Sequence, residues 1–218
     1  MRRLGPWLTL AAVAVLGLVL LVINMSKDTE PPAAKTNTVA TTTVPTTQAP
    51  PTTAAPATAP FPAKADYVGR IPLASGGTIT LEITVAGDKA IAYACDGKSI
   101  ESWLRGSATN GSLQLTGKDD AELTGTFDGA TVQGTLGIAG KQWTYTAAPV
   151  QPPAGLYIYS AAGTRQSWIV DANGGVTGVQ RNPDGSTAPA VALASDATAV
   201  VNGKKVTANK VSGGDSVG

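Results

Sequence analysis

The side chains that could carry chemistry are few, because the 218-residue chain contains no histidine and one cysteine. Without histidine, the sequence excludes a Ser-His-Asp triad, a Cys-His pair, a histidine-ligated zinc site and a histidine pH switch. A single cysteine excludes an intramolecular disulfide and a cysteine-cluster metal site. We therefore expect no catalytic residue, no metal site and no cofactor, and we interpret the protein as a non-enzyme.

Cys95, in Tyr93-Ala94-Cys95-Asp96-Gly97, is the candidate reactive thiol. A nucleophilic cysteine needs a neighbouring base or cation to form the thiolate, and Lys98 is the one cation close to it in sequence. Cys95 also falls on the apolar positions of an alternating pattern, which favours a small buried hydrophobe. A buried core residue and a reactive, intermolecular or lipid-accepting thiol both remain open.

Asp119, Asp120 and Glu122 form an acidic cluster near a predicted turn. Paired carboxylates can serve a glycosidase or a calcium site. Consecutive residues of a strand point to opposite faces, so Asp119 and Asp120 need not converge, although Asp120 and Glu122 can share a face. Because no D-x-[DN]-x-[DN]-G calcium loop occurs, we interpret the cluster as a solvated turn and keep a carboxylate enzyme as the least supported alternative.

Two tyrosines form the candidate interaction surface. In Leu156-Tyr157-Ile158-Tyr159, strand alternation places Tyr157 and Tyr159 on one face, opposite Leu156 and Ile158. A tyrosine face of this kind binds a partner or packs against another part of the same chain. The sequence leaves both interpretations open.

The part of the chain that must position these residues reads as all-β. Glycine turns such as Asp96-Gly97, Asn110-Gly111 and Asp128-Gly129 recur close to the spacing of about 8–12 residues typical of sandwiches and barrels. We predict an antiparallel meander over residues 65–148, closed as a small barrel or a sandwich, because closure removes exposed strand edges. A short second β unit over 149–211 is expected to pack on it, and 212–218 to form a disordered tail.

Between the turns, apolar residues alternate with polar ones. Ile79, Leu81, Ile83 and Val85 alternate with Thr78, Thr80, Glu82 and Thr84, which predicts one buried and one solvated face. In the next strand, Ile91, Tyr93 and Cys95 alternate with alanines, which predicts burial on both faces.

The N-terminus predicts a membrane anchor. Arg2 and Arg3 precede an uncharged stretch, residues 4–26, that contains Trp7 and the run LTLAAVAVLGLVLLVI. About 20 apolar residues span a bilayer core, and the positive-inside rule places residues 1–3 in the cytoplasm and everything after the span outside. A cleaved signal peptide is the alternative, although no A-x-A cleavage site follows. Both interpretations place the remainder outside the cytoplasm.

Residues 27–64 read as a spacer. Between Thr29 and Ala63 there are 11 Thr, 9 Ala and 8 Pro and no Gly. This composition offers too few large apolar groups to offset chain ordering, and the prolines favour extended polyproline II. We expect a disordered Pro/Thr-rich linker that is either unmodified or O-glycosylated.

The architecture resembles that of actinobacterial envelope proteins, in which an Arg-led single-pass anchor and an Ala/Thr/Pro spacer precede a β domain. The stretches AYACDGKSIESWLRGSA, LQLTG, WTYTAAPVQPPAGLYIYS and RQSWIVDANGGVTGV are similar to a functionally unassigned extracytoplasmic domain of such bacteria. The similarity covers about residues 67–211. It implies a cell-envelope location and O-mannosylated threonines in the spacer, and it carries no catalytic residue.

The sequence thus favours a membrane-anchored extracytoplasmic binding or interaction module of the bacterial cell envelope. The net charge of +1 gives no reason to expect nucleic acid as a partner. The expected partners are the membrane, through the single N-terminal helix, and an envelope protein, glycan or lipid. The alternative function is a carrier or sensor for a small apolar ligand or lipid, with a pocket inside a closed β-barrel.

Overall fold

The structure is a computed structural model, and it describes residues 58–217, which belong to one compact unit. Fifteen β-strands account for the regular structure of this part, which confirms the all-β prediction. Among these residues, no helix has the length and apolarity needed to cross a bilayer. The strands are β1 (Lys64–Pro72), β2 (Thr78–Ala86), β3 (Lys89–Cys95), β4 (Glu101–Thr109), β5 (Ser112–Gly117), β6 (Glu122–Phe127), β7 (Val132–Ile138), β8 (Lys141–Val150), β9 (Gly155–Ala161), β10 (Thr164–Val170), β11 (Val176–Arg181), β12 (Thr187–Pro189), β13 (Thr198–Val201), β14 (Lys204–Thr207) and β15 (Asn209–Lys210).

Strands β1 to β8 form a closed antiparallel barrel, so the barrel and not the sandwich is the observed form of the meander. Each strand pairs with the next in sequence, and β8 returns to β1 with Val68 opposite Ala148. The inward side chains fill the interior, as is usual for eight strands. They include the fully buried residues Ile79, Leu81, Ile83, Leu104, Leu113, Leu115, Leu123 and Leu136.

Five further strands form a second sheet in the order β12-β11-β10-β9-β15. One face of this sheet packs on the outside of the barrel, with Leu156, Ile169 and Val179 against the outward side chains of β3. The hairpin β13-β14 packs on the other face of the sheet, against Trp168 and Val170. The barrel, the sheet and the hairpin therefore form three successive β layers.

The packing of the second sheet changes the predicted solvated face of β2. Thr80, Glu82 and Thr84 are all buried, because the second sheet covers the outer surface of the barrel at this point. The prediction of a wet face was therefore wrong for this strand. The expected burial of β3 on both faces is confirmed, since Ile91, Tyr93 and Cys95 and the alternating alanines are all at most 1% exposed.

The chain enters the barrel through residues at the end of the predicted spacer. The nitrogen of Ala59 donates to the carbonyl of Phe127 at 2.8 Å, and the ring of Phe61 stacks on Phe127 with centroids 5.1 Å apart. Phe61 also meets Tyr67 edge to face. The residues from Thr58 onward thus pack against one end of the barrel, and the rest of the predicted spacer and the predicted anchor lie outside the described residues.

The C-terminal segment lies against the β2–β3 hairpin. Gly213 is buried there, and a methyl group added to it would lie 2.7 Å from the nitrogen of Ala86. Val217 packs against the cluster between barrel and sheet. Composition suggested a disordered tail because it contains few large side chains, but backbone packing of small residues gives 212–217 a defined position.

Candidate functional site

The candidate site is built around Glu101, at the start of β4 on the outer face of the barrel. Its side chain is 0% exposed and carries five potential hydrogen bonds. The donors come from both layers: the Tyr93 hydroxyl at 3.3 Å, the Trp103 indole at 3.3 Å, the Ser167 hydroxyl at 3.4 Å, Arg165 Nη2 at 3.1 Å and Arg181 Nε at 2.7 Å. A buried carboxylate with this many donors is satisfied as an anion.

Strand register explains why these residues converge. Glu101, Trp103 and Arg105 alternate along β4 and therefore share the outer face of the barrel. On the second sheet, Arg165 of β10 is the direct cross-strand partner of Arg181 of β11. Two like charges in this relation repel each other. The carboxylate of Glu101 binds both guanidinium groups, and its negative charge reduces the repulsion between them.

The environment of Glu101 sets its ionisation. Desolvation by burial acts to raise the pKa of Glu101, but the charge of Arg165 and the hydrogen bonds from Arg181 and Arg165 outweigh it, so the pKa lies below its ordinary value. Glu101 is therefore ionised at neutral pH. With its oxygens engaged, it acts as a counterion that positions two arginines rather than as a general acid or base.

A cleft of about 660 Å³ opens beside this ion cluster, between the barrel and the second sheet. Trp103 and Arg105 contribute to its barrel side, and Arg165 and Arg181 to its sheet side. Arg165 lies over the Trp103 ring, with Cζ 5.2 Å from the ring centroid. Tyr93 packs against the same ring at 4.5 Å. Arg165 and Arg181, which line the cleft, are therefore held in place by the buried carboxylate of Glu101.

The cleft lies at the barrel end opposite to the one where the chain enters. Its floor includes Lys118 and Asp119 of the β5–β6 turn and Ala139 of the β7–β8 turn. Phe61 packs at the other end, beside Phe127 at the end of β6. In an antiparallel barrel, alternate turns lie at opposite ends. The cleft thus faces away from the preceding chain.

A second buried acid, Glu82, lies elsewhere in the interface between barrel and sheet. Neither of its carboxylate oxygens receives a hydrogen bond from the described residues. Burial raises the pKa of Glu82 well above its ordinary value, and the neighbouring Asp66 raises it further while Lys210 lowers it. The environment of Glu82 thus favours the protonated form of its carboxyl group. The Oδ2 of the neighbouring Asp66 lies 2.8 Å from the Lys210 ammonium.

Cys95 lies in the same interface and is 0% exposed. Burial raises the pKa of its thiol to about 12, so very little thiolate exists at neutral pH. This environment favours the small buried hydrophobe, and a reactive, intermolecular or lipid-accepting thiol at Cys95 stays a prediction.

The predicted tyrosine face is covered by the chain itself. Tyr157 is 8% exposed, and its hydroxyl donates to the carbonyl of Pro153 at 2.7 Å. Tyr159 is half-buried and packs against the same cluster, beneath β13 and β14. The opposite residues, Leu156 and Ile158, are the ones that contact the barrel. A role for Tyr157 and Tyr159 in binding a separate partner stays a prediction.

The other sequence candidates lie apart from the ion cluster. Asp119, Asp120 and Glu122 are exposed at the β5–β6 turn, where Asp119 and Asp120 have positive φ angles. Within residues 58–217, no group of three or more acids and cysteines has the geometry to hold a metal. Arg2, Arg3 and Trp7 lie outside the described residues.

No protein-family model, curated protein or solved structure matches the chain. The site therefore has to be judged on its own geometry. Sequence reasoning missed it because Arg105, Arg165 and Arg181 are isolated along the chain. One signal was present: Glu101, Trp103 and Arg105 alternate on one strand, and this places a carboxylate, an aromatic ring and a cation on one face.

Proposed function

We propose that the protein is a non-enzymatic binding module of the bacterial cell envelope, held outside the cytoplasm by its N-terminal segment, and that it binds its ligand in the cleft beside Glu101. The ligand belongs to an envelope protein, glycan or lipid. In this proposal residues 4–26 are the membrane anchor and the following spacer carries the barrel away from the bilayer. The resemblance to actinobacterial envelope proteins supports this location.

The cleft is the observation that carries the proposal. Its volume of about 660 Å³ falls in the range of small-molecule sites, and it lies between two packed layers, where ligand sites are frequent. It opens at the far end of the barrel from Phe61, so residues 58–63 do not obstruct it. A rigid barrel strand and two paired sheet strands hold the lining arginines.

The interior of the barrel supports the binding module over the apolar-ligand carrier. Leucine and isoleucine side chains from successive strands meet there and are fully buried. Tyr145 fills the space beside Gly125 and Gly134, where its hydroxyl donates to the carbonyl of Thr124 at 3.2 Å. A core packed in this way has no room for an acyl chain.

The chemistry of the cleft supports a binding rather than a catalytic role. Glu101, the buried acid at the cleft, is held as an anion by the two arginines, and both of its oxygens accept hydrogen bonds from the protein. The other acid lining the cleft, Asp119, is exposed on a turn. Neither has the environment of a general acid.

Co-sedimentation with envelope fragments tests the proposal. The full chain in a neutral detergent is mixed with actinobacterial envelope fragments and centrifuged. Thr116 of β5 is exposed and lines the cleft, so Thr116→Trp fills the cleft without disturbing the core. Gln114→Trp, two residues away on the same exposed face, is the matched control.

We expect the wild type and Gln114→Trp to sediment with the fragments and Thr116→Trp to lose at least tenfold in binding. Equal sedimentation of Thr116→Trp and the wild type would show that the cleft is not the binding site. Absence of sedimentation for all three proteins would contradict the binding role itself.

A further inference from the structure

We infer that the ligand group recognised in the cleft is a phosphate monoester, carried by a soluble or wall-attached molecule and bound by Arg105, Arg165 and Arg181. This inference rests on the proposed function and names the chemistry of the same site. Three observations carry it: hydrogen-bond donors left over at the cleft, an excess of positive charge, and the position of the opening.

The arginines keep donors that the protein does not use. Glu101 takes one nitrogen of Arg165 and one of Arg181, and Arg181 Nη1 donates to the carbonyl of Gly185 at 2.8 Å. Arg165 Nε is buried and lacks a hydrogen-bond partner among the described residues. A buried unpaired donor is costly, and a ligand oxygen satisfies it once the guanidinium group of Arg165 turns toward the cleft.

Arg105 adds a third guanidinium group from the barrel side. It is exposed on β4, and within residues 58–217 it forms no salt bridge. The planar guanidinium fork matches the geometry of oxyanions and binds them through two parallel hydrogen bonds. Arg105 and Arg165 thus face the cleft from its two opposite walls.

The charge of the lining matches a phosphate better than a carboxylate. Four basic residues line the cleft, Arg105, Lys118, Arg165 and Arg181, against the two acids Glu101 and Asp119, which leaves a net charge of +2. A phosphate monoester carries about −1.5 to −2 at neutral pH, whereas a carboxylate carries −1. Full compensation therefore favours the phosphate.

The position of the opening favours a soluble or wall-attached molecule over a phospholipid. The chain enters the barrel at the Phe61 end, and the cleft includes turns from the other end. The opening thus lies at the end of the barrel away from the first described residues. A lipid surface is the alternative source of the same phosphate chemistry, and the experiment separates the two.

The test is a calorimetric titration of the full chain in neutral detergent, at constant ionic strength. The probes are inorganic phosphate, glucose 1-phosphate and sodium acetate. In a separate flotation assay, the chain reconstituted in neutral vesicles is mixed with vesicles that contain phosphatidic acid, a lipid phosphate monoester. The variants are Arg105→Gln and Lys89→Gln. Lys89 is exposed at the other end of the barrel and provides a charge-matched control.

We expect glucose 1-phosphate to bind at least tenfold more tightly than acetate, and Arg105→Gln to weaken this binding about tenfold while Lys89→Gln leaves it unchanged. Equal binding of phosphate and acetate, equal losses in the two variants, or association with phosphatidic acid vesicles alone would overturn the inference. If Thr116→Trp still abolished binding to envelope fragments, the proposed function would stand while the phosphate assignment fell.

Discussion

Arg165 and Arg181 are direct cross-strand neighbours on β10 and β11, and both bind the carboxylate of Glu101 on the barrel, at 3.1 and 2.7 Å. One buried anion thus reduces the repulsion between two like charges that the strand register places side by side, and one positive charge of the pair is left over. The same contact ties the second sheet to the barrel at the edge of the cleft. The contact between Glu101 and the two arginines therefore contributes to the stability of the fold and fixes the position of the arginines that line the cleft.

Replacement of Glu101 by glutamine removes the charge that the two arginines share. We expect Glu101→Gln to lower the free energy of unfolding by about 3 kcal/mol, because breaking a buried ion pair leaves uncompensated charge. Urea denaturation followed by tryptophan fluorescence measures this. Glu122→Gln, at an exposed acid of β6, should change stability by less than about 0.5 kcal/mol. Equal effects of both variants would contradict the central role of Glu101.

The ion cluster also predicts a loss of stability in acid. The pKa of Glu101 is lower in the folded than in the unfolded chain, so its contribution is present above the ordinary value of 4.5 and is lost as the pH falls through the folded pKa. Wild-type stability should therefore drop more steeply below pH 4.5 than that of Glu101→Gln. Parallel curves in this range would contradict the account.

Glu82 predicts the opposite pH dependence. Its pKa is raised in the folded chain, so the native state holds a proton that the unfolded state releases. This contribution is fully present below the unfolded value of 4.5 and is lost as the pH rises toward the folded pKa. Glu82→Gln removes the titrating group and should flatten the stability profile between pH 5 and pH 8. Urea midpoints measured across this range test it, and an unchanged slope would show that Glu82 is ionised in the native state.

The contacts of Phe61 indicate that the last residues of the expected spacer stabilise the barrel. Phe61→Ala removes the ring that stacks on Phe127 and meets Tyr67, which should cost about 2 kcal/mol for a half-buried aromatic side chain. Thermal unfolding of the full chain measures the loss. Pro62→Ala, at the exposed neighbouring residue, is the control and should leave the melting temperature nearly unchanged.

The burial of Cys95 predicts that its thiol reacts only after the protein unfolds. Its pKa of about 12 and its burial mean that iodoacetamide at pH 7.5 should leave the native chain unmodified over hours. In guanidinium chloride the same thiol should be alkylated within minutes. Mass spectrometry measures the extent of alkylation. Rapid alkylation of the native chain would show that the interface between barrel and sheet opens readily.

Local patterns were sufficient to predict most of the barrel. The alternation of Ile79, Leu81 and Ile83 with polar residues marks β2, and the glycine turns mark the hairpins. These signals depend on residues two to ten positions apart, which the sequence shows directly. Closure of the meander could also be predicted, because a closed sheet has no exposed strand edges.

Long-range packing explains what the sequence did not show. Glu82 sits at a position that alternation assigns to solvent, but a sheet formed more than 70 residues later covers it. The cleft has the same origin, since Glu101 meets Arg165 and Arg181 across sequence separations of 64 and 80 residues. No local pattern encodes which faces of two separate β layers come together.

The central claim is that the cleft beside Glu101 holds the ligand, and photo-crosslinking in living cells tests it most directly. A photoreactive benzoylphenylalanine is placed at Lys118, in the exposed turn that borders the cleft, or at Gln114 outside the cleft, and the full chain is isolated after irradiation and weighed by mass spectrometry. We predict a light-dependent added mass of envelope material at Lys118 and none at Gln114. Adducts of equal yield at both positions, or none at Lys118, would contradict the claim.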